Sequence, residues 1–87
     1  MENKKKIYIG NLPFSVDSEG LRKIFSEFGE VTDAIVITDR NSGRSKGFGF
    51  VEYGNEEMAK AAIEGMNGKE LEGRNLVVNI ARAPRQA

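Results

Sequence analysis

The sequence predicts an α+β fold in which four strands and two helices follow one another in the order β-α-β-β-α-β. Four short segments are rich in β-branched and aromatic residues, and two segments between them carry apolar residues at helical spacing. The chain has 87 residues, which suffices for one small domain. We therefore expect all six elements to share a single core.

The first strand is predicted at residues 6–11, an alternating segment that is stopped by Pro13. Asp17 is a suitable N-cap for the first helix. Gly29 fits the position just after the end of that helix. The helix has one apolar stripe at i, i+3, i+4 and i+7, formed by Leu21, Ile24, Phe25 and Phe28.

The second and third strands are predicted at residues 31–38 and 47–53. They are joined by a polar loop at residues 39–45, so we expect them to pair as an antiparallel hairpin. This hairpin forms the centre of the predicted element order.

Asn55 is a suitable N-cap for the second helix. The stripe of that helix consists of Ala59, Ala62, Ile63 and Met66. Asn67 and Gly68 are expected to end it. A turn at residues 71–74, at which a short ribbon could form, leads to a fourth strand at residues 75–80. Two right-handed crossovers around a central hairpin predict the ferredoxin-like sandwich, with both helices on one face of the sheet.

Composition excludes several classes of function. Lys plus Arg and Asp plus Glu are 13 each, so a uniformly basic coat for nucleic acid is absent. The chain has neither Cys nor His, which removes thiolate and imidazole chemistry. We expect no cofactor and no metal. The N-terminal segment lacks the apolar core of a secretory signal, and no apolar run could cross a membrane. We therefore expect an intracellular, cytoplasmic protein, with a nuclear or organellar location left open.

The two faces of the predicted sheet differ in character. Side chains alternate along a strand, so Ile7, Ile9, Val51 and Tyr53 suit the face under the helices, with Gly47 and Gly49 admitting helix side chains. This assignment puts Tyr8, Phe48 and Phe50 on the face without helices.

Leaving three rings largely unburied is costly in so small a domain, because burying a Phe-sized side chain contributes about 1.5–3 kcal/mol. Exposed flat rings with cations nearby suit stacking on nucleobases. The cations expected beside the rings are Lys6, Arg44, Lys46 and Arg82.

The third strand resembles a known family at this point. Residues 46–53, KGFGFVEY, match the octamer of the RNA-recognition motif family at every specified position, and residues 7–12, IYIGNL, are similar to its hexamer. The resemblance implies a four-stranded antiparallel sheet of order 4-1-3-2. It also implies a domain at residues 6–82, between an N-terminal extension at residues 1–5 and a tail at residues 83–87.

Carried over by position, the resemblance implies that Tyr8 and Phe50 each stack on a base of single-stranded RNA. It implies that Phe48 lies against riboses and that Lys46 pairs with a phosphate. Asp33 and Val77 also fall at face positions of the family, and Ala81 follows the last strand. The complete predicted binding set is Tyr8, Phe48, Phe50, Lys46, Lys6, Arg44, Asn11, Ile35, Ile37, Asn79 and Arg82.

Other functions stay open at this point. Single-stranded DNA offers the same bases and phosphates, and some relatives of this fold bind proteins, although those have typically lost the sheet aromatics. A dimer could bury the face, but we expect a monomer. Acylphosphatases share the ferredoxin-like layout, yet their anion-binding loop needs an Arg that residues 10–15 lack. We expect no catalysis.

Overall fold

A computed structural model of the protein describes residues 4–81, and for Ser45 and Lys46 it describes the backbone alone. The strands are β1 (Lys6–Gly10), β2 (Val31–Thr38), β3 (Ser45–Tyr53), the two-residue strands β4 (Glu70–Leu71) and β5 (Arg74–Asn75), and β6 (Val77–Ile80). The helices are α1 (Ser18–Phe25), which continues into a short 3₁₀ turn (Ser26–Phe28), and α2 (Glu56–Met66). This is the predicted order of elements, and a short ribbon, β4–β5, forms at the predicted turn.

Both helices begin at the predicted caps. The Asp17 carboxylate accepts a hydrogen bond from the Gly20 amide at 2.8 Å, and the Asn55 side chain accepts one from the Met58 amide at 2.9 Å. Each bond satisfies an amide that has no partner within the first turn of the helix. Local chemistry in the sequence therefore determines where both helices start.

The main sheet has the strand order β2-β3-β1-β6, with every neighbouring pair antiparallel. Counting β6 as the fourth strand, this confirms the predicted order 4-1-3-2. The connection from β1 to β2 carries α1, and the connection from β3 to β6 carries α2. The structure is therefore the predicted ferredoxin-like sandwich of one sheet and two helices.

The core lies between the helices and one face of this sheet. Ile7, Ile9 and Val51 from the strands are fully buried against Leu21 and Phe25 of the first helical stripe. Ala59, Ala62 and Met66 from α2 belong to the same cluster. The side chains assigned to this face from strand alternation are those found in the core.

Tyr53 brings one polar group into this core. Its hydroxyl donates a hydrogen bond to the Phe25 carbonyl oxygen at 2.6 Å, and burial raises the pKa of Tyr53 above its ordinary value of 10.0. The bond links β3 to the last turn of α1.

Three predicted boundaries were wrong by one or two residues. The first strand ends at Gly10, because Asn11 has a φ of 58° and leaves the extended conformation. The third strand begins earlier than predicted, at Ser45. The fourth begins at Val77, because Asn75 pairs with Glu70 in the β4–β5 ribbon.

The two glycines predicted to admit helix side chains have different roles. A Cβ at Gly49 would collide with the Ile35 carbonyl oxygen and lie 3.2 Å from Leu21, so this glycine does make room for a helix side chain. The prediction for Gly47 was wrong. Gly47 has a φ of 89°, and its carbonyl accepts a hydrogen bond from the Leu12 amide at 2.8 Å. It is needed for a backbone conformation that L-residues rarely adopt.

Candidate nucleic-acid interface

The face of the sheet opposite the helices, called the open face here, is assembled by strand pairing. Tyr8 of β1 lies directly across from Phe50 of β3 and from Asn79 of β6. On the far side of β3, Phe50 pairs with Ile35 of β2. Residues directly opposite in an antiparallel pair point to the same face, so one row of side chains crosses all four strands.

Three aromatic rings meet on this face. The ring centroids of Tyr8 and Phe50 are 5.8 Å apart, those of Tyr8 and Phe48 are 5.9 Å apart, and those of Phe48 and Phe50 are 6.4 Å apart. These separations fall within the range of favourable aromatic contacts. We refer to Tyr8, Phe48 and Phe50 as the ring cluster.

The rings are less exposed than the sequence suggested. Each is half-buried, whereas their neighbours Ile35 and Val77 on the same face are 46% and 49% exposed. The rings shield one another at contact distance, which strand alternation alone does not reveal. They still lie on the face away from the helices, since the residues between them along the strands are the buried core residues.

Two neighbours determine the position of the cluster. An ideal Cβ on Gly10 would lie 2.7 Å from the Tyr8 hydroxyl oxygen, so the tyrosine ring lies over this glycine. The Lys6 ammonium nitrogen lies 5.3 Å from the centroid of the Phe50 ring, which is cation–π distance. A glycine thus makes room for one ring and a cation flanks another.

Other residues of the predicted set lie around the cluster. Ile35 and Asn79 are exposed on the open face, in the same row as Tyr8 and Phe50. Ile37 is half-buried at a register irregularity between Val36 and Thr38. These positions give the cluster an apolar border on β2 and a polar amide on β6.

Of the remaining predicted residues, the structure describes some completely and others only in part or not at all. Asn11 binds the β4–β5 ribbon, because its side-chain nitrogen Nδ2 donates a hydrogen bond to the backbone carbonyl oxygen of Asn75 at 2.9 Å. Arg44 is exposed in the loop between β2 and β3. The side chain of Lys46 and the whole of Arg82 lie outside the described parts of the chain, as do residues 1–3 of the predicted extension and the whole predicted tail at residues 83–87.

Sequence reasoning missed one residue near the cluster. Phe14, in the loop between β1 and α1, is 64% exposed and lines a cavity together with Phe48. An aromatic residue after a proline in a loop gives no periodic signal, so its exposure could not be inferred from spacing. The open aromatic surface therefore extends beyond the sheet.

Residues 4–81 contain neither a candidate metal centre nor a candidate membrane-spanning helix. Within these residues no group of three or more acidic side chains is arranged to hold a metal ion. In the same part of the chain, neither helix has the length and apolar character needed to span a bilayer.

A comparison with family models matches residues 7–77 to the RNA recognition motif. Among curated relatives, the chloroplastic RNA-binding protein CP31B of Arabidopsis thaliana is 53% identical over 76 residues, which is 87% of this chain and 26% of that protein. The glycine-rich RNA-binding protein of Daucus carota is 46% identical over 82 residues, covering 94% of this chain and 52% of that protein. The chain therefore spans about a quarter to a half of these relatives.

Solved structures share the fold over nearly the whole chain. The crystal structure of RNA Binding Protein PG1 is 45% identical, with a TM-score of 0.87 and coverage of 94% of this chain and 99% of that one. The Rna15 RRM with bound RNA (GU) is 28% identical, with a TM-score of 0.81 and coverage of 88% and 82%. A glycine-rich relative named as mitochondrial stands beside the chloroplastic one, so relatives of this domain occur in organelles.

Proposed function

This chain belongs to the RNA recognition motif family, and from that premise we propose that it binds single-stranded RNA on its open face. The observation that carries the proposal is the ring cluster. Three aromatic rings meet within 6.4 Å of one another on the face that neither helix covers, where their packing adds nothing to the main core.

Bases stack on Tyr8 and Phe50 in this proposal, and Phe48 lies against the riboses between them. Flat rings suit this role because every base has a π-face, and each stacked base contributes about 1–3 kcal/mol. Two or three such contacts must also offset the entropy of association, so we expect modest affinity from the domain alone.

Phosphates contact cations at the border of the cluster. Lys6 is beside Phe50, and Arg44 is in the loop that leads into β3. Lys46 and Arg82 are proposed for the same role from the sequence. In the strand register, Glu52 of β3 lies opposite Asp33 of β2 and opposite Lys6 of β1.

The proposal describes a binding domain without catalysis, working as a monomer at residues 6–82. The relatives reported above are named for RNA binding, and none of those names describes an enzyme. The cytoplasmic location stays a prediction from the sequence.

A titration of the isotopically labelled chain with short single-stranded RNAs tests the proposal, using backbone amide shifts in β1 and β3 as the readout. We expect shifts concentrated in these two strands and saturable binding. Tyr8→Ala is expected to weaken binding by more than about 1 kcal/mol while the unfolding midpoint changes little. Tyr8→Phe keeps the ring and is the matched control, with affinity close to that of the unchanged protein.

Matched DNA oligomers make the test specific for RNA. Stacking and phosphate contacts do not require the 2′-hydroxyl, so DNA is expected to bind, but more weakly than RNA. Shifts confined to the helices, or equal affinity in Tyr8→Ala, would contradict the proposal.

A further inference from the structure

Phe14 is unusual among the apolar side chains of this protein. At 64% exposed, it is the most exposed large hydrophobic residue in the described part of the chain. The loop that carries it is nevertheless anchored at both ends, because Leu12 and Val16 on either side are buried. The ring is therefore displayed outward by a loop whose backbone is fixed.

The β4–β5 ribbon holds this loop from the side. An Arg74 guanidinium nitrogen donates to the Asn11 side-chain oxygen at 3.0 Å, and the Ser15 hydroxyl donates to the Glu72 carboxylate at 2.8 Å. The Arg74 guanidinium carbon also lies 5.1 Å from the centroid of the Phe14 ring. One side of the ring is thus supported by a cation that is itself held by a hydrogen bond.

A cavity of about 960 Å³ lies next to Phe14, between its loop and the loop that joins β2 to β3. This volume lies at the upper end of the range of about 300–1,000 Å³ typical of small-molecule sites. We call it the loop groove. Its lining includes Phe14, Phe48, Asp17, Asp39, Ser42 and Arg44. Arg74 is not part of this lining, so it supports Phe14 from outside the groove.

The loop groove is continuous with the ring cluster. Phe48 belongs to both, since it lies 5.9 Å from Tyr8 by ring centroids and also lines the groove. A strand whose bases lie on the cluster would therefore reach the groove with its next nucleotide.

The two carboxylates of the groove favour the edge of a base over a phosphate, whereas Arg44 in the same lining is the residue proposed above for a phosphate contact. Asp17 and Asp39 each accept one amide hydrogen bond through Oδ1, from Gly20 and Asn41, both at 2.8 Å. Among the described residues, no hydrogen bond to either Oδ2 atom is present. A carboxylate only accepts hydrogen bonds and repels phosphate, so it pairs with an exocyclic amino group of a base.

We infer that the loop groove binds one further nucleobase of the same RNA strand, stacked on Phe14, and that its aspartates select a base with an exocyclic amino group over uracil. The inference rests on the proposed function and extends it from a stacking surface to a site with base preference. Guanine fits best, because its ring N–H and amino group lie side by side and can both donate to one carboxylate.

The test compares trinucleotide and hexanucleotide RNAs, since the ring cluster accounts for two or three bases. Phe14→Leu is expected to weaken hexanucleotide binding at least about fivefold, the lower end for loss of one stacked base, and to change trinucleotide binding less than about twofold. Phe14→Tyr keeps the ring and is expected to retain full affinity. The free energy of unfolding of both variants, measured in urea, checks that the exposed position leaves the fold intact.

Base preference is measured with hexanucleotide pools in which one position is fixed in turn as G, inosine, A, C or U. We expect G to bind more tightly than inosine, which lacks the amino group, and U to bind most weakly at one terminal position. Asp39→Asn keeps an oxygen acceptor for the Asn41 amide and is expected to abolish this preference.

The outcomes separate the inference from the proposed function. If no RNA of either length binds, the proposed function fails and the inference fails with it. If hexanucleotides bind but Phe14→Leu binds them as tightly as the unchanged protein, the groove has no part in RNA binding and only the inference is overturned. If the base preference survives in Asp39→Asn, the assignment of selectivity to the carboxylates of the groove is wrong.

Discussion

The two faces of the sheet are built from alternate residues of the same strands, yet they behave as different regions. Ile7 and Ile9 of β1 are completely buried beneath the helices, whereas Tyr8 between them is half-buried in the ring cluster. On β3, Val51 is completely buried and Phe50 beside it is half-buried on the other face. The helix-facing side forms the hydrophobic core, and the rings of the open face are not part of that core.

With the proposed function, this comparison means that stability and binding are encoded separately at adjacent positions. A substitution on the core face should lower the free energy of unfolding and leave the ligand contacts of the folded molecules unchanged. A substitution on the open face should weaken ligand binding and change the free energy of unfolding little. Four variants test this separation, ordered from the largest expected effect to the smallest.

Ile9→Ala should have the largest effect, on stability. Removing most of a fully buried side chain leaves a cavity, and such changes cost about 2–5 kcal/mol. Urea denaturation measures the loss. Ile35→Ala on the open face is the matched control, and since Ile35 is 46% exposed we expect a change of about 0.5 kcal/mol or less. Equal losses in the two variants would refute the distinction between the faces.

Tyr53→Phe removes the hydrogen bond to the Phe25 carbonyl and should cost about 1 kcal/mol at neutral pH. The variant should also change how stability depends on pH. The raised pKa of Tyr53 means that, above pH 10.0, the unfolded chain loses the proton while the folded protein keeps it.

Ionisation of Tyr53 should therefore not affect the free energy of unfolding below pH 10.0. Above that pH, it should lower the free energy of unfolding of the unchanged protein by about 1.4 kcal/mol per pH unit. Tyr53→Phe should lack this part of the decline. Urea denaturation at several alkaline pH values measures the difference between the two slopes. Parallel slopes would show that the buried hydroxyl does not resist ionisation.

Gly10→Ala tests how the open face is arranged without removing a ring. The new methyl group would lie 2.7 Å from the Tyr8 hydroxyl oxygen, so the tyrosine ring has to shift. We expect weaker RNA binding, by less than the about 1–3 kcal/mol that loss of a whole stacked base would cost. Fluorescence anisotropy with labelled RNA measures the change. Gly54→Ala, where a Cβ meets nothing within 4 Å, is the control.

Lys6→Ala should have the smallest effect at physiological salt and is best detected through salt dependence. One lost phosphate contact on a single strand reduces the slope of log affinity against log salt by about 0.7. Lys60→Ala removes an exposed positive charge from α2 and should leave the slope unchanged. If both variants changed the slope equally, general charge attraction would explain the effect.

Much of this arrangement could be predicted from local signals. Asp17 and Asn55 cap the helices as their residue types suggest, and Val31–Thr38 forms the second strand with the predicted bounds. Strand alternation assigned Tyr8, Phe48 and Phe50 to the helix-free face. These features depend on neighbours in sequence, which is why a single sequence sufficed.

Features that depend on distant parts of the chain were not predictable. Asn75 was expected in the fourth strand but pairs in a ribbon that is fastened to Asn11, 64 residues away. The exposure of Phe14 depends on that ribbon and on the loop after β2, and no periodic pattern includes it. The mutual shielding of the ring cluster likewise depends on side-chain packing between β1 and β3, two strands that are far apart in the sequence.

A pair of adjacent residues gives the most direct test of the central claim, which is that the open face binds RNA and the opposite face maintains the fold. Stability in urea and RNA affinity are measured for Phe50→Ala and Val51→Ala. The account predicts that Phe50→Ala loses about 1–3 kcal/mol of binding with a smaller loss of stability, and that Val51→Ala loses stability while its folded fraction binds normally. Parallel losses of stability and affinity in both variants would contradict it.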